Sequence, residues 1–204
     1  MSILSTIPVD AVGGTFYIST VKDHAAIKEK LLEKFAASGR SMDGPDGSKD
    51  ENNENSMHND RISRTDWDMA HQLQQPYQTY QPNYLDIFKP IMMEHIMNVM
   101  KLICPPGKMI VDTQTPWFQQ YERDDVHNWH VHSNCAFSSI YYVELHKETP
   151  NTLFSMFNKI FSVAIEEGCI ITFPSLYSHS SPSNKSSLRK SVISFNMNLR
   201  NPTS

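Results

Sequence analysis

The chain has 204 residues, which is enough for one domain with a sizeable core, and 39% hydrophobic and 20% charged residues are typical of a soluble protein. The net charge of −4, with no cluster of Lys or Arg, argues against a role on nucleic acid or on a membrane surface. Three scattered cysteines, no basic leader and no apolar run near the ~20 residues that cross a bilayer predict a cytoplasmic protein without disulfides.

A helix is predicted over residues 20–39, because apolar side chains recur there at helical spacing and Gly39 can end the helix. Thr20 and Asp23 form a candidate capping box at its start. Residues 41–60 are rich in Gly, Ser, Asn, Asp and Glu. Such a segment buries too little apolar surface to offset its ordering entropy, so a mobile loop is expected.

A second helix is predicted over residues 83–103, where Pro90 either kinks the helix or marks its true first turn. Its methionines are expected to fill the core rather than to bind a ligand; they are Met92, Met93, Met97 and Met100.

After Gly107 the chain changes to short segments of β-branched and aromatic residues separated by turn residues, which is typical of strands. Nine strands in so short a stretch predict a mainly β sandwich or jelly roll with the helices packed outside it. The chain is thus interpreted as one domain, residues 1–204, with a helical N-terminal portion (1–106) and a β core (107–199). The predicted strands are residues 109–112, 116–122, 129–133, 137–145, 152–157, 161–165, 169–173, 178–181 and 190–199.

Two histidines of the predicted core, His130 and His132, stand in an i, i+2 pair and so point to the same side of a strand. His179 follows the turn after another buried strand and would reach the same end of a barrel. Three imidazoles suit Fe, Zn, Cu and Ni, so the sequence predicts a metal site without selecting the metal. His127 is expected on the opposite face, as a neighbour of the site or a surface residue.

A cation follows the last histidine. Arg189 and Ser191 share a face with Ile193, Phe195 and Met197, and this apolar face is predicted to look into the barrel. A guanidinium there needs an anion. An external carboxylate held by Arg189 and Ser191 would satisfy it, and an internal ion pair with an Asp or Glu is the alternative.

These residues resemble the 2-oxoglutarate- and Fe(II)-dependent dioxygenases, whose core is a double-stranded β-helix. That family has HxD or HxE on one strand, a distal His on a later strand, and Arg-x-Ser about ten residues beyond. His130, His179, Arg189 and Ser191 match this pattern. The resemblance is nearest to predicted oxygenases of bacteria and phages that carry HxH, and it spans residues 107–199. It rests on residues 117–121, 130–132, 138–142 and 173–175.

The resemblance implies Fe(II), 2-oxoglutarate and O2 as cofactors, and a hydroxylase-like reaction that couples oxidative decarboxylation of 2-oxoglutarate to C–H oxidation. Arg189 and Ser191 would then bind the distal carboxylate of 2-oxoglutarate. Gln119 and Tyr121 share a strand face and are further candidates for contacts to it, as is Tyr141 or its neighbour Tyr142. The substrate, a small molecule or a protein side chain, is unassigned, and a homodimer is expected by analogy alone.

The sequence departs from the family pattern at His132, where the family has a carboxylate. Either His132 is the third ligand, which its spacing favours, or a carboxylate enters from elsewhere, or the site has two histidines and an open position. The candidate carboxylates are Asp124, Asp125 and Glu144.

Two other functions fit parts of the pattern. A cupin-type metal protein would use the same barrel without 2-oxoglutarate, but it would not need an inward Arg189-x-Ser191 pair. A non-catalytic jelly-roll module would have purely structural histidines and would bind no stoichiometric metal.

Overall fold

The computed structural model describes residues 4–9, 14–38, 60–71, 80–104 and 109–202. The loop predicted over residues 41–60 lies outside the described residues except for Asp60. The helices are α1 (His24–Ala36), α2 (Trp67–His71) and α3 (Leu85–Ile103). The strands are β1 (Leu4–Val9), β2 (Gly14–Thr20), β3 (Arg64–Thr65), β4 (Ile110–Thr113), β5 (Trp117–Tyr121), β6 (His127–His130), β7 (Phe137–Glu144), β8 (Leu153–Met156), β9 (Lys159–Ser162), β10 (Cys169–Pro174), β11 (Ser178–Ser181) and β12 (Lys190–Arg200).

The strands form two antiparallel sheets. The major sheet has the order β1-β2-β10-β7-β12-β5-β3, with β4 paired to β12, and the minor sheet has the order β6-β11-β8-β9. One apolar cluster joins their facing sides, because Phe154 of the minor sheet packs with Phe16, Tyr142, Phe173 and Val192 of the major sheet. The space between the two sheets is the barrel interior.

Helices α1 and α3 cover the other face of the major sheet. Leu31 and Phe35 of α1 and Phe88 of α3 pack there against Phe118 and Phe195 of the sheet. Strand β12 is therefore buried on both faces over its first eight residues. Consequently, burial alone does not reveal which of its residues face the barrel interior.

The predicted helices exist with shifted bounds. Residue 20 ends β2, and α1 begins at His24. Asp23 precedes α1 in the left-handed region (φ 55°) and its side chain makes no capping hydrogen bond, so the predicted capping box is wrong. Pro90 lies inside α3. Of the α3 methionines predicted to pack in the core, Met92 is buried, whereas Met93 and Met97 are 41% and 57% exposed.

All nine strands predicted after residue 107 are present, and the mainly β class is confirmed. The N-terminal portion contains the predicted helices, but it also supplies β1, β2 and β3 to the major sheet, which the sequence analysis did not predict. Strand β2 pairs with β10, and its alternate residues Phe16 and Ile18 enter the core between the sheets. No helix within the described ranges is long and apolar enough to span a bilayer.

Candidate metal centre

The side chains of His130, His132 and His179 converge at one place, as the sequence predicts. Their potential ligand atoms all lie within 4.8 Å of one another. The ring centroids are 4.2 Å apart for His130 and His179 and 5.1 Å apart for His132 and His179. Three imidazoles at this separation can share one transition-metal ion.

Strand pairing places two of these residues. His130 on β6 lies directly across from His179 on β11, so both side chains leave the minor sheet on the same side. His132 lies just beyond the end of β6, and its backbone N–H donates to the carbonyl of Ser175 at 3.1 Å. The turn after β10 therefore fixes where His132 stands.

The hydrogen bonds of two histidines prepare them for a metal. Nδ1–H of His130 donates to the Asn128 carbonyl (2.7 Å), and Nδ1–H of His179 donates to the Tyr177 carbonyl (2.9 Å). In the neutral form of each ring the other nitrogen, Nε2, is then the unprotonated one, and a backbone carbonyl on Nδ1 is the usual partner of a metal-binding histidine. Burial, reinforced by His130, lowers the pKa of His179 well below its ordinary value, so this ring is neutral and able to bind a metal near neutral pH.

The third histidine has a different partner. Nδ1 of His132 lies 3.1 Å from the side-chain nitrogen of Asn196, which also donates to Gln114 Oε1 at 3.0 Å. The Asn196 oxygen accepts from the Ser138 hydroxyl at 2.9 Å. Asn196 thus contacts one of the three converging histidines, although the sequence did not mark it as a site residue.

His127 is the neighbour of this group. Its ring stacks on that of His130 with centroids 3.9 Å apart, and its Nε2 lies 3.3 Å from a carboxylate oxygen of Asp60. A bulge explains this placement, because three residue steps in β6, from His127 to His130, face only two steps in β11. Strict alternation would have put His127 on the opposite face, so that expectation is wrong, whereas its role as a neighbour of the site holds.

The carboxylates considered as third ligands are engaged elsewhere. Asp124 pairs with Lys185, and Asp125 accepts from the backbone N–H groups of Ser63 and Glu122. Glu144 pairs with Arg189. The candidate metal-binding group found among the described residues consists of the three histidines. The alternative in which one of these carboxylates enters the site is wrong for this structure.

The cation inside the barrel is Lys190, which was not among the residues predicted from the sequence. It is 1% exposed, and its ammonium donates to the Pro150 carbonyl (3.1 Å) and to the Ser181 hydroxyl (3.0 Å). It also lies 5.4 Å from the centre of the Tyr121 ring and 5.8 Å from that of Tyr142. Burial lowers the pKa of Lys190 to about 7, because none of these partners carries an opposite charge.

The expected inward orientation of Arg189 and Ser191 is wrong. Ile193, Phe195 and Met197, which share their face, pack in the cluster beneath α1 and α3, whereas Val192 packs between the sheets. The Arg189 guanidinium donates to both oxygens of Glu144 (2.8 and 3.2 Å), and the Ser191 hydroxyl bonds the same carboxylate. The charge of Arg189 is thus paired with Glu144 inside the protein. This internal ion pair is the alternative that the sequence left open.

The other residues predicted to contact 2-oxoglutarate lie on different faces of the major sheet. Gln119 and Tyr121 lie inside the barrel as expected, and each approaches His127 Nδ1, at 3.3 and 3.4 Å. Tyr141 lies on the helix side, where its hydroxyl bonds His24 and its ring stacks on Phe88, so its assignment to the site is wrong.

Tyr142 is the tyrosine of this pair that faces the interior, and its hydroxyl donates to Thr152 at 2.8 Å. The sequence did contain a signal for Lys190 and Asn196. Both belong to the set 190, 192, 194 and 196, which includes the small polar residue Ser194, whereas the opposite set carries the large apolar residues.

No protein-family model matches the sequence, and no curated protein matches it. Many solved structures match the fold. HygX from Streptomyces hygroscopicus, with nickel, 2-oxoglutarate and hygromycin B bound, superposes with a TM-score of 0.57 at 8% identity and covers 93% of this chain and 84% of its own. A Pseudomonas putida prolyl-4-hydroxylase gives 0.55 at 10% identity, with coverage of 91% and 92%. The α-ketoglutarate-dependent epimerase SnoN of nogalamycin biosynthesis gives 0.58 at 11% identity, with coverage of 89% and 76%.

Identities this low show a shared fold and nothing finer. The chain has the fold of the 2-oxoglutarate/Fe(II) oxygenases, and the double-stranded β-helix expected from the sequence is confirmed.

Proposed function

We propose that the protein is a 2-oxoglutarate- and Fe(II)-dependent oxygenase that oxidises a C–H bond of its substrate. The observation that carries this proposal is the placement of a histidine triad and a buried ammonium in one interior. Tyr121 links the two, because its hydroxyl lies 3.4 Å from His127, which stacks on His130, and its ring lies under Lys190. The histidine triad would bind a metal, and the ammonium would bind the far carboxylate of a dicarboxylate co-substrate attached to that metal.

In this proposal His130, His132 and His179 hold the iron, and Lys190 replaces Arg189 as the partner of the distal carboxylate. An ammonium buried without a counter-charge is costly, and a bound carboxylate would supply that charge. Ser181 and the tyrosine rings around Lys190 keep the ammonium in place and keep water from it.

The three cofactors, when bound, would supply the redox chemistry: the oxidative decarboxylation of 2-oxoglutarate and the oxidising power for the substrate. The chain holds these partners in a fixed geometry. Gln119 and Tyr121 fix the ring of His127 from one side and Asp60 fixes it from the other, and the stacked His127 ring restricts His130. The interior thus keeps the metal-binding rings oriented before the cofactors arrive.

Hydroxylation is the reaction we favour, and the substrate is a small molecule or a protein side chain. Proteins of this fold include a prolyl hydroxylase and an epimerase, so the fold is compatible with more than one outcome of C–H oxidation.

The test is anaerobic addition of Fe(II) and then 2-oxoglutarate to the purified protein, with visible spectra recorded after each addition. We expect one iron per chain and a metal-to-ligand charge-transfer band that appears only after 2-oxoglutarate is added. Stoichiometric metal without any response to 2-oxoglutarate would indicate a cupin-type metal protein instead. If no metal binds, the histidines are structural and the proposal fails.

A further inference from the structure

The most informative contact outside the metal-binding group itself is the one between Asn196 and His132. Asn196 is 5% exposed, and both its amide nitrogen and its amide oxygen have side-chain partners. One amide N–H faces Nδ1 of His132 (3.1 Å), the other faces Gln114 Oε1 (3.0 Å), and the oxygen faces the Ser138 hydroxyl (2.9 Å). We call Asn196, Gln114 and Ser138 the amide relay.

This arrangement determines the tautomer of His132. Because the Asn196 nitrogen has only hydrogens to offer, Nδ1 of His132 must accept, and in the neutral ring the proton is then on Nε2. His130 and His179 show the opposite pattern, since each donates Nδ1–H to a backbone carbonyl and presents an unprotonated Nε2. His132 is therefore held in a form that does not bind a metal through Nε2.

A half-turn of the Asn196 amide removes this obstacle. The amide oxygen would then accept a proton from Nδ1 of His132, and Nε2 would become an available ligand atom. The Ser138 hydroxyl can then accept from the Asn196 nitrogen, because a hydroxyl accepts as well as donates. Gln114 would give up its hydrogen bond to the Asn134 carbonyl (3.4 Å) to donate to the Asn196 oxygen, and Asn198 would still donate to that carbonyl.

We infer that the amide relay switches His132 between a resting tautomer and a metal-binding tautomer, so that Asn196 is a positioning residue for the third ligand. This inference rests on the proposed function, because it concerns the same metal site. It explains how a histidine serves at the position where the family pattern has a carboxylate: the relay, not a fixed charge, makes the ligand available.

Two substitutions move the relay in opposite directions. In Gln114→Glu both side-chain oxygens are acceptors, so the side chain at position 114 can no longer turn to offer a donor to Asn196. The Asn196 nitrogen is therefore kept facing position 114 and His132. Metal affinity should therefore fall, by about tenfold, the lower end of what neighbours of metal ligands contribute. Asn196→Asp places an acceptor on Nδ1, and affinity should rise by a similar factor.

The Gln114→Glu variant discriminates between mechanisms, because a simple charge effect predicts the opposite sign. Adding a carboxylate near a cation site would by itself strengthen metal binding. Gln114 is only partly buried, so the variant is expected to fold. Asn198→Asp is the matched control for Asn196→Asp, since Asn198 has the same alternation on β12 but bonds the Asn134 carbonyl instead of His132.

The experiment measures Co(II) affinity by titration of the visible spectrum in the full chain, for the wild type, these three variants and His132→Ala. In parallel, two-bond ¹H–¹⁵N correlation spectra report the His132 tautomer without metal and with Zn(II). We expect Nε2–H in the metal-free wild type, Nδ1–H in the Zn(II) complex, and Nδ1–H already in metal-free Asn196→Asp. Asn198→Asp should bind Co(II) as the wild type does.

Three results of the Co(II) titrations would overturn the inference: stronger binding by Gln114→Glu, equal gains from Asn196→Asp and Asn198→Asp, or unchanged affinity in His132→Ala. The last result would leave the metal site standing on two histidines. A wild type that binds no metal would instead refute the proposed function. The tautomer of metal-free Asn196→Asp is read independently of metal, and Nε2–H there refutes the inference by itself.

Discussion

Arg189 and Lys190 are neighbours in sequence but lie on opposite faces of the start of β12. Arg189 meets Glu144 on the helix side, and Lys190 meets Ser181 and two tyrosine rings inside the barrel. One residue of difference in alternation therefore separates a structural ion pair from the buried ammonium that we propose as the partner of the distal carboxylate. The two positions give a matched pair of variants.

Lys190→Met should weaken 2-oxoglutarate binding by about 100-fold, because losing one partner of a buried charge pair costs about 2–5 kcal/mol. Metal affinity should not change. Without ligand the variant should be at least as stable as the wild type, since methionine needs no counter-charge. Isothermal titration with Ni(II)-loaded protein measures the loss. Arg189→Met is the control and should bind 2-oxoglutarate as the wild type does; the reverse pattern would restore the assignment made from sequence.

The affinity for 2-oxoglutarate should also depend on pH through Lys190. Burial lowers the pKa of Lys190 to about 7 in the free protein, so below this pH the ammonium is already charged and affinity is constant. Above it, binding must also take up a proton, and the dissociation constant should rise about tenfold per pH unit. Titrations of the Ni(II)-loaded protein between about pH 6 and 9 test this. Lys190→Arg keeps its charge throughout and should remove the slope; a wild-type affinity that stays constant over the whole range would contradict the prediction.

The sequence predicted the residues of the triad better than the residues around it. His130, His132 and His179 follow from spacing and from the family pattern, because metal binding demands particular residue types. The faces of Arg189, Ser191 and Tyr141 did not follow, because alternation gives relative faces only. Deciding which face is inward requires knowing that helices cover the other side, and this is a tertiary fact.

At the level of elements, α3 is fastened to the major sheet by a buried histidine. His95 is 2% exposed, its Nδ1 lies 2.6 Å from the Ser19 hydroxyl of β2, and its Nε2 lies 2.7 Å from the Thr172 hydroxyl of β10. Thr172 in turn contacts Ser139 of β7 at 2.6 Å. One side chain thus joins a helix to neighbouring strands through a small group of buried hydroxyls.

This contact should make the protein sensitive to acid. Burial lowers the pKa of His95 to about 4, whereas an unfolded chain protonates histidine near its ordinary value of 6.5. The stability that the neutral ring provides is therefore complete above about pH 6.5 and is lost as the pH falls toward 4, by about 3 kcal/mol in total. Urea unfolding at several pH values measures this loss.

His95→Gln is the comparison, because glutamine can bond one of the hydroxyls but does not titrate. The variant should be less stable than the wild type at neutral pH, and its stability should fall less as the pH is lowered from about 6.5 to 4. Carboxylates that titrate in this range contribute equally to both proteins, so the difference between the two slopes isolates His95. Equal slopes would show that His95 does not cause the acid sensitivity.

The bulge in β6 shows why some elements escape prediction. The i, i+2 spacing of His130 and His132 predicts one continuous strand, but β6 ends at His130 and His132 is fixed by Ser175 from another turn. The extra residue between His127 and His130 turns both rings inward. A bulge depends on how the partner strand aligns, so the spacing of residues within one strand does not reveal it.

For the whole molecule, the fold class was predictable and the composition of the major sheet was not. Nine strands after residue 107 follow from the pattern of apolar segments and turns. Strands β1 to β3 do not follow from it, because they lie before that stretch, outside the region where this pattern was recognised. The sheet they complete is held by pairings between distant segments, such as β2 with β10, which one local window does not contain.

The proposed ligands lie on both sides of the barrel. His130 and His179 belong to the minor sheet, whereas Lys190 begins β12 of the major sheet. A metal alone would therefore join residues near one sheet, while 2-oxoglutarate held between the metal and Lys190 would connect the two sheets. Ligand binding should then stabilise the protein in two separate steps.

Thermal unfolding should show these steps. Ni(II) at about 100 times its dissociation constant should add about 2.7 kcal/mol, which raises Tm by about 6 °C for a domain of this size, and 2-oxoglutarate should raise it again only when the metal is present. His179→Ala should lose both shifts, because 2-oxoglutarate needs the metal. Lys190→Met should keep the first shift and lose the second, and Arg189→Met should keep both. If 2-oxoglutarate stabilises Lys190→Met as much as the wild type, the distal carboxylate is held by another residue and the co-substrate does not join the sheets through β12.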